Sequence, residues 1–76
     1  MSSLINRMGF EGFADNLIVN FLEDHPELKS GNYGSISTEK SDGTFIRATY
    51  GGGTVTILVR GYTDNGWMTH EQSIKL

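Results

Sequence analysis

The sequence predicts an α+β fold: an N-terminal amphipathic helix packed on one face of a three- to four-stranded antiparallel β-meander. One observation is a helical repeat of apolar residues near the N-terminus, and the other is an apolar/polar repeat of two that begins at Tyr33. A chain of 76 residues has room for one small core. We therefore predict a single domain over 1–76, with a helical part at 1–29 and the antiparallel sheet at 33–76.

The helix is predicted by one apolar stripe between Phe10 and Leu22. Its members recur at spacings of three and four, which places them on one side of an α-helix. They are Phe10, Phe13, Ala14, Leu17, Ile18, Phe21 and Leu22. The helix should end near Asp24, because Pro26 disfavours helical geometry at the residue before it. The Asp24–Glu27 segment has the spacing of a capping box, which predicts one further turn.

More apolar helix surface is present than one face requires. Upstream of the stripe, Gly9 and Gly12 lower helix propensity, so the first turns should form a separate short helix or a kinked extension. Four apolar residues fall to one side of the stripe and form a candidate binding flank on the helix. They are Leu4, Ile5, Met8 and Val19.

Four runs with strand alternation follow the helical part. They are Tyr33–Glu39, Thr44–Tyr50, Thr54–Tyr62 and Trp67–Leu76. The linkers between them contain Asp42-Gly43, Gly51-Gly52-Gly53 and Asn65-Gly66, and such pairs favour the positive φ of tight hairpin turns. Connections this short predict antiparallel pairing throughout.

Alternation assigns each strand residue to one of two faces. Val55, Ile57 and Val59 should face the helix. Their expected neighbours on that face are Ile46, Ala48, Tyr50, Met68, Ile74 and Leu76. His70 and Gln72 interrupt this apolar set, so we expect them near an edge of the sheet.

The opposite face holds the candidate binding site. Its notable members are Phe45, Arg47, Leu58, Arg60, Tyr62 and Trp67. Aromatic residues and arginine are enriched at protein interfaces, and they also stack on bases and pair with phosphates. The alternative is that these side chains only stabilise an exposed sheet through cross-strand contacts.

Catalytic and metal-binding patterns are weak. The chain has no cysteine, and its two histidines, His25 and His70, lie in no recognisable ligand spacing. Gly51–Gly53 lacks the lysine and the strand–loop–helix context of a phosphate-binding loop. We therefore expect no enzyme activity, no cofactor and no metal.

Charge and hydropathy limit the partners. The net charge is −3, and it is unevenly distributed: residues 1–28 carry −5 + 1 = −4 and residues 29–76 carry +5 − 4 = +1. This distribution gives no large basic surface for duplex DNA. No apolar stretch is long enough to span a membrane, and the N-terminus does not have the pattern of a signal peptide. Together with the lack of cysteine, this predicts a cytoplasmic protein without membrane partners.

Two functions remain open. The first is a small non-enzymatic protein-binding molecule, an inhibitor, adaptor or accessory factor of the kind that viruses and mobile elements encode, which would also form homo-oligomers. The alternative is a binder or sponge of a nucleotide or short single-stranded nucleic acid. In that case Arg47 and Arg60 hold phosphate, an aromatic residue of the same face stacks on a base, and Gly51–Gly53 closes over the ligand. An enzyme would need a second chain to complete a site.

Overall fold

The computed structural model describes residues 5–29 and 33–75, and it confirms the predicted α+β fold. A short 3-10 helix, Arg7–Gly9, leads into helix α1, Phe10–Asp24, and a 3-10 turn, Pro26–Lys29, follows it. The strands are β1 (Gly34–Glu39), β2 (Phe45–Gly51), β3 (Thr54–Thr63) and β4 (Gly66–Lys75). They form a four-stranded antiparallel meander in the order β1-β2-β3-β4.

Helix α1 buries the predicted stripe against the sheet. Phe10, Ala14, Ile18 and Phe21 are buried, and the other stripe residues are partly buried at its margin. The predicted further turn exists as Pro26–Lys29, and it places Leu28 in the core, where the side chain is only 1% exposed. The chain before α1 forms the predicted separate short helix, which Asn6 caps by accepting a hydrogen bond from the Met8 N–H at 2.8 Å.

The sheet presents the predicted apolar face to α1. Val55, Ile57 and Val59 are fully buried, as is Ala48 on the neighbouring strand. Ile46 is buried, and Tyr50, Met68 and Ile74 are partly buried around this core. His70 and Gln72 lie on β4, an edge strand, as the interrupted pattern predicted. Leu76 lies outside the described residues.

Ile5 differs from its prediction. It lies in an extended segment and forms a parallel bridge with Thr63, so its assignment to free helix surface is wrong. Its N–H donates to the Tyr62 carbonyl, and its own carbonyl accepts from the Asp64 N–H, both at 3.2 Å. The pairing of β2 with β3 ends at Arg60, so the last residues of β3 have backbone groups free for Ile5. Leu4 lies outside the described residues.

The hairpin turns lie where the sequence predicted them, but only glycine adopts positive φ. Gly52 and Gly53 both do, at 61° and 82°, which is the requirement of a two-residue type I′ turn. In the other two turns the positive φ falls on Gly43 and Gly66, at 91° and 90°. Asp42 and Asn65, which precede these glycines, do not adopt positive φ, so neither turn is type I′. Side-chain hydrogen bonds stabilise both turns, for example that from the Thr44 N–H to Asp42 Oδ1 at 2.9 Å.

Candidate functional site

The sheet has one face that no described element covers, and we call it the open face. The register pairs its members across the strands, for example Phe45 with Arg60, and Arg60 with Thr69. All six residues predicted for this face lie on it. Two cross-strand pairs, Phe45 with Arg60 and Tyr62 with Trp67, lie near the β1–β2 and β3–β4 turns. The pairs farther from these turns contain mostly serine and threonine, such as Thr56 with Ser73.

Four of the six residues form a contact cluster, which we call the aromatic–arginine cluster: Phe45, Arg60, Tyr62 and Trp67. The Arg60 guanidinium carbon lies 5.2 Å from the centroid of the Phe45 ring and 5.3 Å from that of Trp67. Tyr62 meets Trp67 edge to face, with ring centroids 5.0 Å apart. These are cation–π and aromatic pair distances, so the four side chains stabilise one another's positions.

Arg60 is packed between two aromatic rings. Its Nε atom is buried and has no hydrogen-bond partner among the described residues. Its Nη2 atom lies 4.0 Å from Glu39 Oε2, a distance too long for a hydrogen bond. The guanidinium already lies near one carboxylate, that of Glu39, and its planar shape fits a carboxylate or a phosphate.

Trp67 is the most exposed member of the cluster. Its side chain is 56% exposed and that of Tyr62 is 46% exposed. The far edge of the indole reaches Gly43 in the β1–β2 turn, where a Cβ atom would lie 3.1 Å from Cη2. Since Trp67 is the single tryptophan of the chain, its fluorescence reports only on this face.

Arg47 and Leu58 lie beside the cluster without joining its stacked contacts. They pair with each other across β2 and β3, and Leu58 pairs with Glu71 on β4. Farther along, the Thr56 and Ser73 hydroxyls are 3.1 Å apart, which marks the polar half of the face. The apolar part of the open face is thus confined to one end of the sheet.

The glycine loop lies at the other end. Gly51 pairs with Thr54 at one end of the β2–β3 ladder, and Phe45 pairs with Arg60 at the opposite end. At the rise of a β-strand this separates the loop from the cluster by about 20 Å. Gly51–Gly53 therefore does not close over a ligand held by Arg60. Local structure requires these glycines: Gly52 and Gly53 adopt positive φ in the turn, and the Tyr33 ring occupies the space of a Cβ atom at Gly51.

The three described residues of the predicted helix flank, Ile5, Met8 and Val19, lie on three different elements. Met8 is 88% exposed in the short 3-10 helix, whereas Val19 is 53% exposed on α1. Val19 lines an open groove of about 450 Å³ between α1 and β4, and Met8 does not. The groove residues are Glu11, Asp15, Ile18, Val19, Leu22, His70, Glu71, Gln72 and Ile74.

The groove contains one contact that the sequence did not reveal. His70 Nε2 lies 3.4 Å from Asp15 Oδ1, which joins α1 to the edge strand. Alternation placed His70 on the helix side of β4, but it could not say which helix residue it meets. No serine, threonine or lysine is among the described residues that line this groove.

Among the described residues, two carboxyl groups in turns, those of Asp42 and Glu27, have a lowered pKa. Hydrogen bonds from the backbone and side chain of Thr44 lower the pKa of Asp42 below its usual range. A hydrogen bond from its own backbone N–H, and then one from His25, lowers the pKa of Glu27. Both side chains are exposed, and local hydrogen bonds account for both shifts.

Within residues 5–29 and 33–75, no group of three or more His, Asp and Glu side chains is placed to hold a metal ion. None of the helices in that part of the chain has the length and apolar character needed to cross a bilayer. Comparison with known proteins finds no matching family model, no matching curated protein and no matching solved structure.

Proposed function

We propose that this chain is a non-enzymatic protein-binding molecule of the cytoplasm, an inhibitor, adaptor or accessory factor. Its docking surface is the aromatic–arginine cluster. One observation carries the proposal: Trp67 is 56% exposed, yet it is stacked in an ordered cluster on a face that no described element covers. Tryptophan, tyrosine and arginine are the residues that dominate binding energy at protein interfaces.

Order within the cluster favours binding. A long arginine side chain normally loses rotamer freedom when it enters an interface. Arg60 is already fixed between Phe45 and Trp67, so part of that loss has occurred in the free chain. Tyr62, held edge to face on Trp67, adds a further rigid aromatic contact.

The charge of the open face indicates the partner's chemistry. The open face carries three basic residues and two acidic ones, so its net charge is +3 − 2 = +1. They are Arg47, Arg60 and Lys75, and Glu39 and Glu71. The helical part, in contrast, carries −4 over residues 1–28. A partner surface that combines apolar contact with a carboxylate near Arg60 would complement this face.

Self-association through the same face is part of the proposal. A domain of this size has a thin core, and burying exposed aromatic rings against a second copy adds stability. A homo-oligomer formed in this way would remove Trp67 and Tyr62 from solvent.

Site-specific photo-crosslinking tests the proposal in the native cell. A benzophenone amino acid is placed at Thr69, which pairs with Arg60 on the open face, and in a control chain at Asn16, on the exposed side of α1. We expect a protein adduct, either a second copy or another protein, from the Thr69 position only. Adducts from Asn16 alone, or from neither position, would contradict the proposal.

A nucleotide or short single-stranded nucleic acid is the second candidate. The observation in its favour is that the Arg60 guanidinium, a group that can pair with phosphate, lies beside the exposed rings of Tyr62 and Trp67. Nucleotides should then quench Trp67 fluorescence in the wild type, and Arg60→Ala should abolish the response. No change with a panel of nucleotides and oligonucleotides would remove this candidate.

A further inference from the structure

The β3–β4 turn contains an asparagine that is followed by a glycine. Asn65 is exposed in this turn, and Gly66 begins β4 with a φ of 90°. Apart from its chain neighbours, no atom of the described residues lies within 4 Å of the position that a Cβ atom would take on Gly66. The backbone nitrogen of Gly66 is therefore shielded neither by a side chain of its own nor by a packed neighbour, which leaves the preceding amide open to attack.

Of the described asparagines, Asn65 alone precedes a glycine. Asn6, Asn16 and Asn20 precede residues with bulky side chains, which hinder the approach of the following nitrogen to the amide carbon. Asn16 and Asn20 also lie within α1, whose hydrogen bonds hold the backbone in one conformation. These two asparagines are therefore internal controls for the chemistry of Asn65.

The β1–β2 turn has a similar pair, Asp42-Gly43, with a different electrophile. Asp42 Oδ1 accepts a hydrogen bond from the Thr44 N–H at 2.9 Å, and the hydrogen bonds from Thr44 lower the pKa of this carboxyl. At neutral pH Asp42 is therefore an anion, and a carboxylate resists attack by a nucleophile. The uncharged amide of Asn65 has no such protection.

We propose that Asn65 is a site of spontaneous deamidation, and that the product loosens the end of the sheet that carries Trp67. The Gly66 nitrogen attacks Asn65 Cγ and forms an N–Cγ bond, the Cγ–Nδ2 bond breaks, and ammonia leaves with the proton from the Gly66 N–H. Water then adds to either carbonyl of the resulting succinimide ring and opens it to aspartate or isoaspartate. The attack requires Gly66 to leave its pairing with Thr63, the last pair of the β3–β4 ladder, and terminal pairs open more readily than central ones.

Isoaspartate is incompatible with the hydrogen bonds of the Thr63 hydroxyl. Thr63 Oγ1 accepts from the Asn65 N–H at 3.0 Å and donates to the Gly66 carbonyl at 2.8 Å, and Thr63 is only 1% exposed. Isoaspartate routes the main chain through the side chain and lengthens it between these two groups, so one hydroxyl no longer reaches both. A buried hydroxyl that loses a partner destabilises the turn.

The same turn positions two rings of the aromatic–arginine cluster. Trp67 follows Gly66, and Tyr62 precedes Thr63, with the two ring centroids 5.0 Å apart. Lengthening the turn between them should therefore separate the rings and expose more of the indole to water. The product also carries a carboxylate, which is ionised at neutral pH.

The test keeps the whole purified chain at 37 °C, at neutral and at mildly alkaline pH, and follows each asparagine by peptide mapping and mass spectrometry. The reaction needs no partner, so its outcome does not depend on the proposed function. We expect a mass gain of about 1 Da at Asn65, with both isoaspartate and aspartate formed, at least about tenfold faster than at Asn16 or Asn20. The rate should rise with pH, because the attacking nitrogen must lose its proton.

Two variants separate ring closure from charge. Asn65→Gln needs a larger ring for the same attack, so it should keep its mass over the period in which the wild type converts. Asn65→Asp carries the charge of the product on a main chain of unchanged length, so it should keep the wild-type Trp67 emission. The isoaspartate form, separated by chromatography, should instead emit at longer wavelength.

Three results would overturn the inference. Conversion of Asn65 no faster than that of Asn16 and Asn20 would show that the turn protects the amide. Aspartate without isoaspartate would show direct hydrolysis, with no attack by the Gly66 nitrogen. Wild-type Trp67 emission from the separated isoaspartate form would show that lengthening the turn does not move the ring.

Discussion

The Trp67 indole rests on the backbone of Gly43, since a Cβ atom built on that glycine would lie 3.1 Å from Cη2 of the ring. This contact joins the start of β4 to the β1–β2 turn across the end of the sheet. Arg60 lies beneath the same indole, 5.3 Å from its centroid. The position of the ring therefore depends on a residue without a side chain in a turn that is distant in the chain.

Gly43→Ala should destabilise the fold and move the indole. Gly43 has a φ of 91°, which alone costs a residue with a Cβ about 1–2 kcal/mol, and the contact with Trp67 adds to this. Gly66→Ala is the matched control, because Gly66 has a φ of 90° but nothing within 4 Å of its Cβ position. Chemical unfolding should show the larger loss for Gly43→Ala, and only that variant should shift Trp67 emission. Identical emission from both variants would rule out the contact.

Gly61→Ala should destabilise the fold by overpacking. Gly61 is buried, and a Cβ there would lie 2.8 Å from Ile5 Cδ1 and 2.9 Å from Phe10 Cε1. Moving these side chains should cost about 1–3 kcal/mol of unfolding free energy. Gly12→Ala in α1 has open space around its Cβ and should instead stabilise by about 0.5–1 kcal/mol. Opposite signs in urea unfolding are the expected result, and stabilisation by both changes would refute the close packing of Ile5.

Leu28→Ala should be among the most destabilising truncations. Leu28 is 1% exposed although it belongs to a short 3-10 turn. Its truncation to alanine leaves a cavity and should lower the unfolding free energy by about 2–5 kcal/mol. Val19→Ala on the exposed flank of α1 should change the unfolding free energy by no more than about 0.5 kcal/mol. Thermal and urea unfolding would measure both. Similar effects from the two truncations would mean that the turn does not pack on the core.

Lowering the pH should reduce the stability that Asp42 gives to the β1–β2 turn. The hydrogen bonds from Thr44 lower its pKa in the folded chain, so the folded state favours the carboxylate. This contribution is complete above the pKa of the unfolded chain, about 4, and is lost as pH falls through the lower folded value. Asp42→Asn keeps an oxygen acceptor without titrating. The stability gap between wild type and this variant should therefore shrink from pH 7 toward acid, and a gap independent of pH would contradict the assignment.

Much of the fold follows from the sequence because its signals are local. The apolar stripe of α1, the alternation of Val55, Ile57 and Val59, and the glycine-bearing turns each act within a few residues of one another. Alternation also put the predicted residues of the open face on one side of the sheet, because each strand keeps its pleat without a slip in register.

The remaining features depend on contacts between distant segments. Ile5 pairs with the end of β3 because β3 extends past β2. The lengths of these two strands are determined by residues far from Ile5 in the sequence. The stacking of Arg60 between Phe45 and Trp67 requires three strands in register. The distance between the glycine loop and the cluster follows from the alternation of turns between the two ends of a meander, so it was implicit in the predicted topology, and placing the loop over a ligand at Arg60 was inconsistent with that topology.

The central claim, that the aromatic–arginine cluster is a surface through which the chain docks onto a second copy of itself, is tested most directly by light-scattering mass and Trp67 emission measured together over a range of protein concentrations. We expect the mass to rise above that of one chain as Trp67 emission moves to shorter wavelength over the same range. Tyr62→Glu in the cluster should abolish both changes, and Thr49→Glu on the polar half of the same face should preserve them. A single-chain mass with constant emission at every concentration, or equal loss in both variants, would contradict self-association through the cluster.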